Sequence, residues 1–207
     1  MMLVNLDQSL LLSRSSLFHR MSLLLKQHIE QITSKLSDEE FAHILSFFKP
    51  VKRKKHQFLV QENENVPYEF WVVKGCLKEY YLDANGKEHI LKFATETWWT
   101  TDYGAFYNRE KASIYIDCVE DCELLAISLE NREQLCKESH KMERFWRVRS
   151  NSGYVALQKR ILSLLRMSAE DRFKQFVDLY PDLLQRVPKK CSHRIWAFPE
   201  KPLVDFK

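Results

Sequence analysis

The chain has 207 residues, is 45% hydrophobic and 13% aromatic, and carries a formal charge of +4. That suits one large domain, or a medium and a small one, and excludes a mostly disordered chain. With only four glycines, glycine-rich phosphate loops are nearly excluded. The mild positive charge permits nucleic acid as a partner without demonstrating it. The five cysteines, Cys76, Cys118, Cys122, Cys136 and Cys191, include no Cys-x-x-Cys. A disulfide framework and the common zinc spacing are therefore disfavoured, and a reducing cytoplasm is expected. No apolar run reaches the roughly 18 residues of a membrane span, so no membrane partner is expected.

In chain order, residues 1–20 show little pattern and lack the basic start and cleavage site of a signal peptide. Met21 opens a more regular stretch and is expected to be the translation start; a genuine short extension is the alternative. Leu24, Leu25, His28, Ile29 and Ile32 follow helical spacing. Ser37 and Glu40 form a capping box for a second helix, with Phe41, Ile44, Leu45 and Phe48 on one face and Pro50 ending it. After Lys52 come six strand-like runs, over 58–60, 69–73, 77–82, 89–93, 114–118 and 124–127. Asn85-Gly86 between the third and fourth is a strong hairpin signal. Many short strands joined by turns predict an antiparallel barrel or jelly roll.

Met142 to Met167 reads as one long helix. Trp146, Gly153, Leu157, Ile161 and Leu164 lie along one stripe; Phe145, Val148, Val155 and Leu162 lie along another. Two apolar stripes let a helix pack both on its own domain and on a partner helix. Gly153 is either a tolerated glycine or a point of close helix approach. Ser168 caps a further helix carrying Phe173, Phe176, Val177 and Tyr180, which Pro181 stops. From Cys191 to Lys207, with Pro199 and Pro202, no period is sustained.

This order resembles the Crp/Fnr family of bacterial transcription regulators, in the branch found in Bacteroidetes-type bacteria. FWVVKGCLKEYYLDANGKEHILKFATETWW is similar to the strand–hairpin–strand core of the family's sensor domain. ALQKRILSLLRMSAEDRFKQFVDLYPDLLQRVPKK is similar to its dimer helix and the start of its DNA-binding domain. The likeness runs from Met21 to Lys190. It implies an α+β fold: a jelly-roll-like antiparallel β-roll with N-terminal helices over 21–140 and a dimerisation helix over 141–168. A truncated helical remnant of a winged helix-turn-helix domain is then expected over 169–207. It also implies a non-catalytic, cytoplasmic homodimer, paired through Trp146, Gly153, Leu157, Ile161 and Leu164. Its further partners would be DNA and an unknown small effector.

In ligand-binding members of that family a Gly-Glu pair holds a ribose, and Arg followed by Ser or Thr holds a cyclic phosphate. A carboxylate suits a sugar hydroxyl, and a guanidinium forks onto phosphate oxygens. Here the positions fall on Thr101-Asp102 and Ala112-Ser113. Ala112 offers no charge, and Arg109 and Lys111 are wrongly spaced, so cyclic AMP is not expected as a cofactor. A pocket for another ligand would be lined by Trp98, Trp99, Thr101, Asp102, Ala112, Ser113 and Tyr115. Core filling is the competing reading of the aromatic residues. Cys118 and Cys122 read as small core residues.

Past Lys190 the family continues into a recognition helix that reads bases. Residues 191–207 do not match it. A one-base shift of frame would create a turn glycine at the Trp196–Ala197 junction, because Trp has one codon and every Ala codon begins GC. A frameshift, in the gene or in its sequencing, is therefore expected; natural divergence of the tail is the alternative. In the printed frame, sequence-specific DNA binding is expected to be impaired. Lys189 and Lys190 are the candidate DNA-backbone contacts. Arg144, Arg147, Arg149, Lys159, Arg160 and Arg166 read mostly as a solvated helix face. Two other function classes are compatible with a roll of this kind. A cupin-like metal-dependent enzyme needs clustered ligands, but His89 stands alone and Glu88 beside it points to the opposite face. No metal or catalytic residue is therefore assigned. A protein-interaction module without DNA binding is the other alternative.

Overall fold

Two four-stranded antiparallel sheets face one another, with helices on both outer sides; a computed structural model describes residues 22–187. Helix α1 covers 22–30 and α2 covers Asp38–Ser46. The strands are β1 (Lys49–Arg53), β2 (Phe58–Val60), β3 (Glu69–Lys74), β4 (Leu77–Leu82), β5 (Glu88–Ala94), β6 (Trp99–Thr100), β7 (Tyr115–Cys118) and β8 (Cys122–Ile127). Helix α3 (Tyr103–Asn108) sits between β6 and β7. After the roll come α4 (Leu129–Glu138), α5 (His140–Arg166), α6 (Ala169–Leu179) and α7 (Pro181–Arg186). This is the α+β jelly-roll-like fold expected from the sequence.

The sheets have orders β1-β8-β3-β6 and β2-β7-β4-β5. Alternation along the strands divides the core into three layers. On β3, Trp71 and Val73 face α1, α2, α4 and the start of α5, where Leu25, Ile29, Ile44, Leu135 and Phe145 pack on them. Phe70 and Val72 face the roll interior with Leu77, Ile116 and Leu124. On the far side of the second sheet, Tyr80, Ile90 and Phe93 meet Phe176, Leu183 and Val187 of the last helices.

Local chemistry explains the boundaries. The Ser37–Glu40 capping box forms in both directions: Ser37 Oγ accepts from Glu40 N, and the Glu40 carboxylate accepts from Ser37 N. Pro50 does not end α2, which stops at Ser46. Instead it lies in β1, an edge strand with one neighbour, where the missing N–H is tolerated. The β4–β5 hairpin forms, but not around a two-residue Asn-Gly turn. Gly86 N donates to Asp83 O, Asp83 N donates to Lys87 O, and Gly86 takes φ 75°. That is a type I turn followed by a left-handed glycine. Pro181 opens α7 at its first position, where an N–H would be unpaired anyway. The two-residue β6 and six-residue α3 are too short to show a period. The charged β1 offers little apolar signal.

Candidate functional site

The seven candidate pocket residues do not converge. Trp99, at the start of β6, packs into the helix-side core, while Trp98 just before the strand packs at the roll interior and lies edge-on to Tyr180, 5.8 Å between ring centroids. Tyr115 lies on the outer face of the second sheet, stacked on Tyr80 at 5.3 Å, its hydroxyl 3.2 Å from Glu62. These three aromatic residues serve different layers.

The other four do gather, around the start of α3. Thr101 is buried and its Oγ1 donates to Tyr68 O at 2.9 Å. Asp102 is the N-cap of α3: its Oδ1 accepts from Ala105 N at 3.1 Å. Its Oδ2 accepts from Ser113 N at 2.8 Å and from Ser113 Oγ at 3.0 Å. Ala112 is buried, fixed by backbone bonds to Asn63 and Glu64. The donors that would meet an anion here are thus already satisfied by the chain's own carboxylate. A separate cleft of about 290 Å³ opens beside α3, with Val66, Tyr68, Phe106 and Leu129 on its walls. Arg109 also lines it, bonded to Glu130 at 2.9 Å and holding a left-handed φ of 59°. Its walls come from three separate stretches of chain, so no local motif announces it.

A charged cluster that the sequence reading missed joins α3 to the helices. Glu69 is completely buried. Arg132 of α4 donates to it at 3.0 Å, Arg149 of α5 donates to it through Nη2 and to Tyr103 Oη through Nη1, and Tyr103 Oη reaches it at 3.1 Å. The guanidinium of Arg132 lies 5.1 Å from the ring centres of both Tyr107 and Trp146, and that of Arg149 lies 4.8 Å from Trp99. Arg149 is therefore not part of a solvated face. Burial pushes the Tyr103 hydroxyl pKa up, and the neighbouring Glu69 adds to the rise. Inside the roll, Glu79 bonds Thr100 and pairs with Lys92 at 3.0 Å.

The proposed dimer residues divide. Trp146 is buried in its own domain, against Trp99 and Phe145. Gly153, Leu157, Ile161 and Leu164 are exposed or half-exposed along α5, and a Cβ at Gly153 would meet nothing within 4 Å. Cys118 and Cys122 are buried small residues of the roll interior. His89, the lone strand histidine, pairs with Asp83 at 2.8 Å and stacks on Tyr81. Among the described residues no group of three or more His, Cys, Asp or Glu is placed to hold a metal. None of their helices is long and apolar enough to cross a membrane. Lys189, Lys190 and the frame-dependent tail lie outside the described residues.

Residues 50–139 match the family model of the cyclic nucleotide-binding domain. No curated protein matches the chain. Among solved structures, the sensor domain of the transcriptional regulator DNR from Pseudomonas aeruginosa is similar over 70% of this chain and 93% of that one, at 18% identity and TM-score 0.55. The c-di-GMP-responsive global regulator CLP from Xanthomonas campestris is similar over 76% and 84%, at 13% identity and TM-score 0.63. A transcriptional regulator assigned to the Crp/Fnr family from Eubacterium rectale is similar over 72% and 70%, at 16% identity and TM-score 0.58. These likenesses establish a shared fold.

Proposed function

We propose that the chain supplies the sensor and dimerisation parts of a cytoplasmic, Crp/Fnr-type transcription regulator of the Bacteroidetes-type branch. The observation that carries this reading is the joining of a cyclic-nucleotide-binding-type roll to a 27-residue helix whose apolar stripe is left open beyond the roll. Residues 21–140 form the sensor, 141–168 the dimer helix, and 169 onward the connection to a DNA-binding part. Two such chains, paired through α5, would present their DNA-binding parts as a symmetric pair to a palindromic site. The effector is a small molecule other than cyclic AMP, because Asp102 occupies the Ser113 donors and Ala112 brings no cation. Neither the metal-dependent enzyme nor the DNA-independent interaction module draws support from the site or from the folds it resembles.

The tail from Cys191 carries no recognition-helix pattern, so sequence-specific DNA binding by the printed chain is weak in this reading. Sequencing the genomic DNA from the codon of Lys190 through a few hundred bases downstream tests it. A gained or lost base restoring a helix-turn-helix is the expected result. Confirmation of the printed frame, with no second frame used, would remove sequence-specific DNA binding from the function.

A further inference from the structure

The second sheet of the roll is a wall with two different faces. On β4, Leu77 and Glu79 point inward, Glu79 to Thr100 and Lys92. Cys76 and Tyr80 point outward, into the layer formed with Phe176 of α6 and Leu183 and Val187 at α7. One strand therefore touches both the roll interior and the two helices that follow α5.

Those helices are held by charge as well as by apolar contact. Arg186 Nη1 donates to Glu96 Oε2 at 2.7 Å and Nη2 to Glu96 Oε1 at 2.9 Å, the paired geometry that strengthens such contacts. The same Nη2 reaches Glu120 at 2.5 Å. Glu96 also accepts from Gly75 N at 2.8 Å, so its carboxylate is aimed before Arg186 arrives. Gly75 cannot be replaced without loss: its φ is 111°, and a Cβ would lie 2.6 Å from Cys122 Sγ and 2.9 Å from Asp121 O. The roll thus presents a built acidic seat, Glu96 and Glu120, at the rim of an apolar patch. Arg186 fills it. The buried apolar part is modest: Phe176, Leu183 and Val187 meet five residues of the roll, with Leu184, Tyr115 and the Trp98–Tyr180 contact at its edge. A contact of this size, closed by a half-exposed ion cluster, is suited to opening without unfolding either side.

We propose that α6 and α7 form a charge-held latch on the outer face of β4–β5. The latch ties the C-terminal end of α5 to the sensor roll and opens as a unit. The N-terminal part of α5 is anchored separately, through Arg149 to the buried Glu69. Latch closure therefore adds a tether at the C-terminal end of the exposed half of α5. The proposal rests on the docked helices and does not depend on DNA being the partner.

Cys76 provides the reporter. It is fully buried beneath the latch, and burial pushes its thiol pKa up to about 12, so it is unreactive while the latch is shut. Cys136 lies in α4, away from the latch, and serves as the control. N-ethylmaleimide labelling of the full chain, resolved by peptide mass spectrometry, reads both sites. Arg186→Glu should speed labelling of Cys76 roughly tenfold and leave Cys136 unchanged, in keeping with the loss of charged hydrogen bonds. Raising salt to about 0.5 M should speed Cys76 in the natural chain, and less so in Arg186→Glu. Equal Cys76 rates in variant and natural chain would overturn the latch. If the variant accelerates both cysteines alike, the salt series on the natural chain decides. Selective speeding of Cys76 supports the latch, and parallel or absent change refutes it.

Discussion

Spacing along the sequence makes Asp102 the candidate for a ribose-binding carboxylate, yet its bonds point elsewhere. One oxygen caps α3 through Ala105 N, and the other takes both donors of Ser113. A cyclic phosphate arriving here would have to displace a carboxylate that also holds a helix end, and the buried Ala112 beside it supplies no charge. Isothermal titration of the protein with cyclic AMP should therefore give no saturable heat up to about millimolar concentration. Micromolar binding would refute this account of the residue. Spacing back from the strand ending at Ile127 singles out Asp102 in the sequence. Its bond to Ser113, eleven positions away, is not legible there, because only the fold brings α3 against the start of β7. Glu69 shows the same limit. Nothing local marks a glutamate in an apolar strand as the acceptor for Arg132 and Arg149, which lie on later helices.

Elements with a clear period are legible in the sequence. The strands of the roll, the Ser37 box and the long helix each carry their own signal. Those that escape it are β1, set by β8; β6, set by β3; α3, set by its Asp102 cap; and the helices α4 and α7, one weakly periodic and the other a single short turn or two. Helix α1 illustrates how packing then tunes chemistry. Its His28 lies over Trp71, with centroids 6.0 Å apart, and edge-on to Phe145 at 5.5 Å. Burial lowers its pKa below the ordinary 6.5, and the charge of Arg149 lowers it further. The folded chain thus binds a proton at His28 less readily than the unfolded chain does. Its stabilising contribution is present above pH 6.5 and is lost as pH falls from there through the lowered value. Urea unfolding at pH 7.5 and pH 5.5 should show a drop in midpoint for the natural chain and a smaller drop for His28→Gln. Equal drops would mean that α1 docking does not depend on a neutral His28.

At the scale of the whole molecule, the unresolved demand is the apolar face of α5. The helix is 27 residues long, about 40 Å at 1.5 Å per residue, but its buried residues are Met142, Phe145 and Trp146, all near its start. Beyond them Tyr154 is 71% exposed, Leu157 57%, Ile161 49% and Leu164 46%. Their spacing of three, four and three is that of a two-helix seam, and an open stripe of this kind marks an interaction face. A second copy offers the matching stripe, so light scattering after size exclusion should give twice the chain mass of 24.8 kDa. Leu157→Asp combined with Ile161→Asp places two carboxylates in the seam of each copy and should return the mass to that of one chain. Neither side chain touches the roll core, so the near-ultraviolet circular dichroism of the buried tryptophans should persist in the variant. A single-chain mass for the natural protein would assign the stripe to a different partner. A double mass unchanged by the two aspartates would move the interface off α5, and with it the route by which the sensor roll reaches its twin.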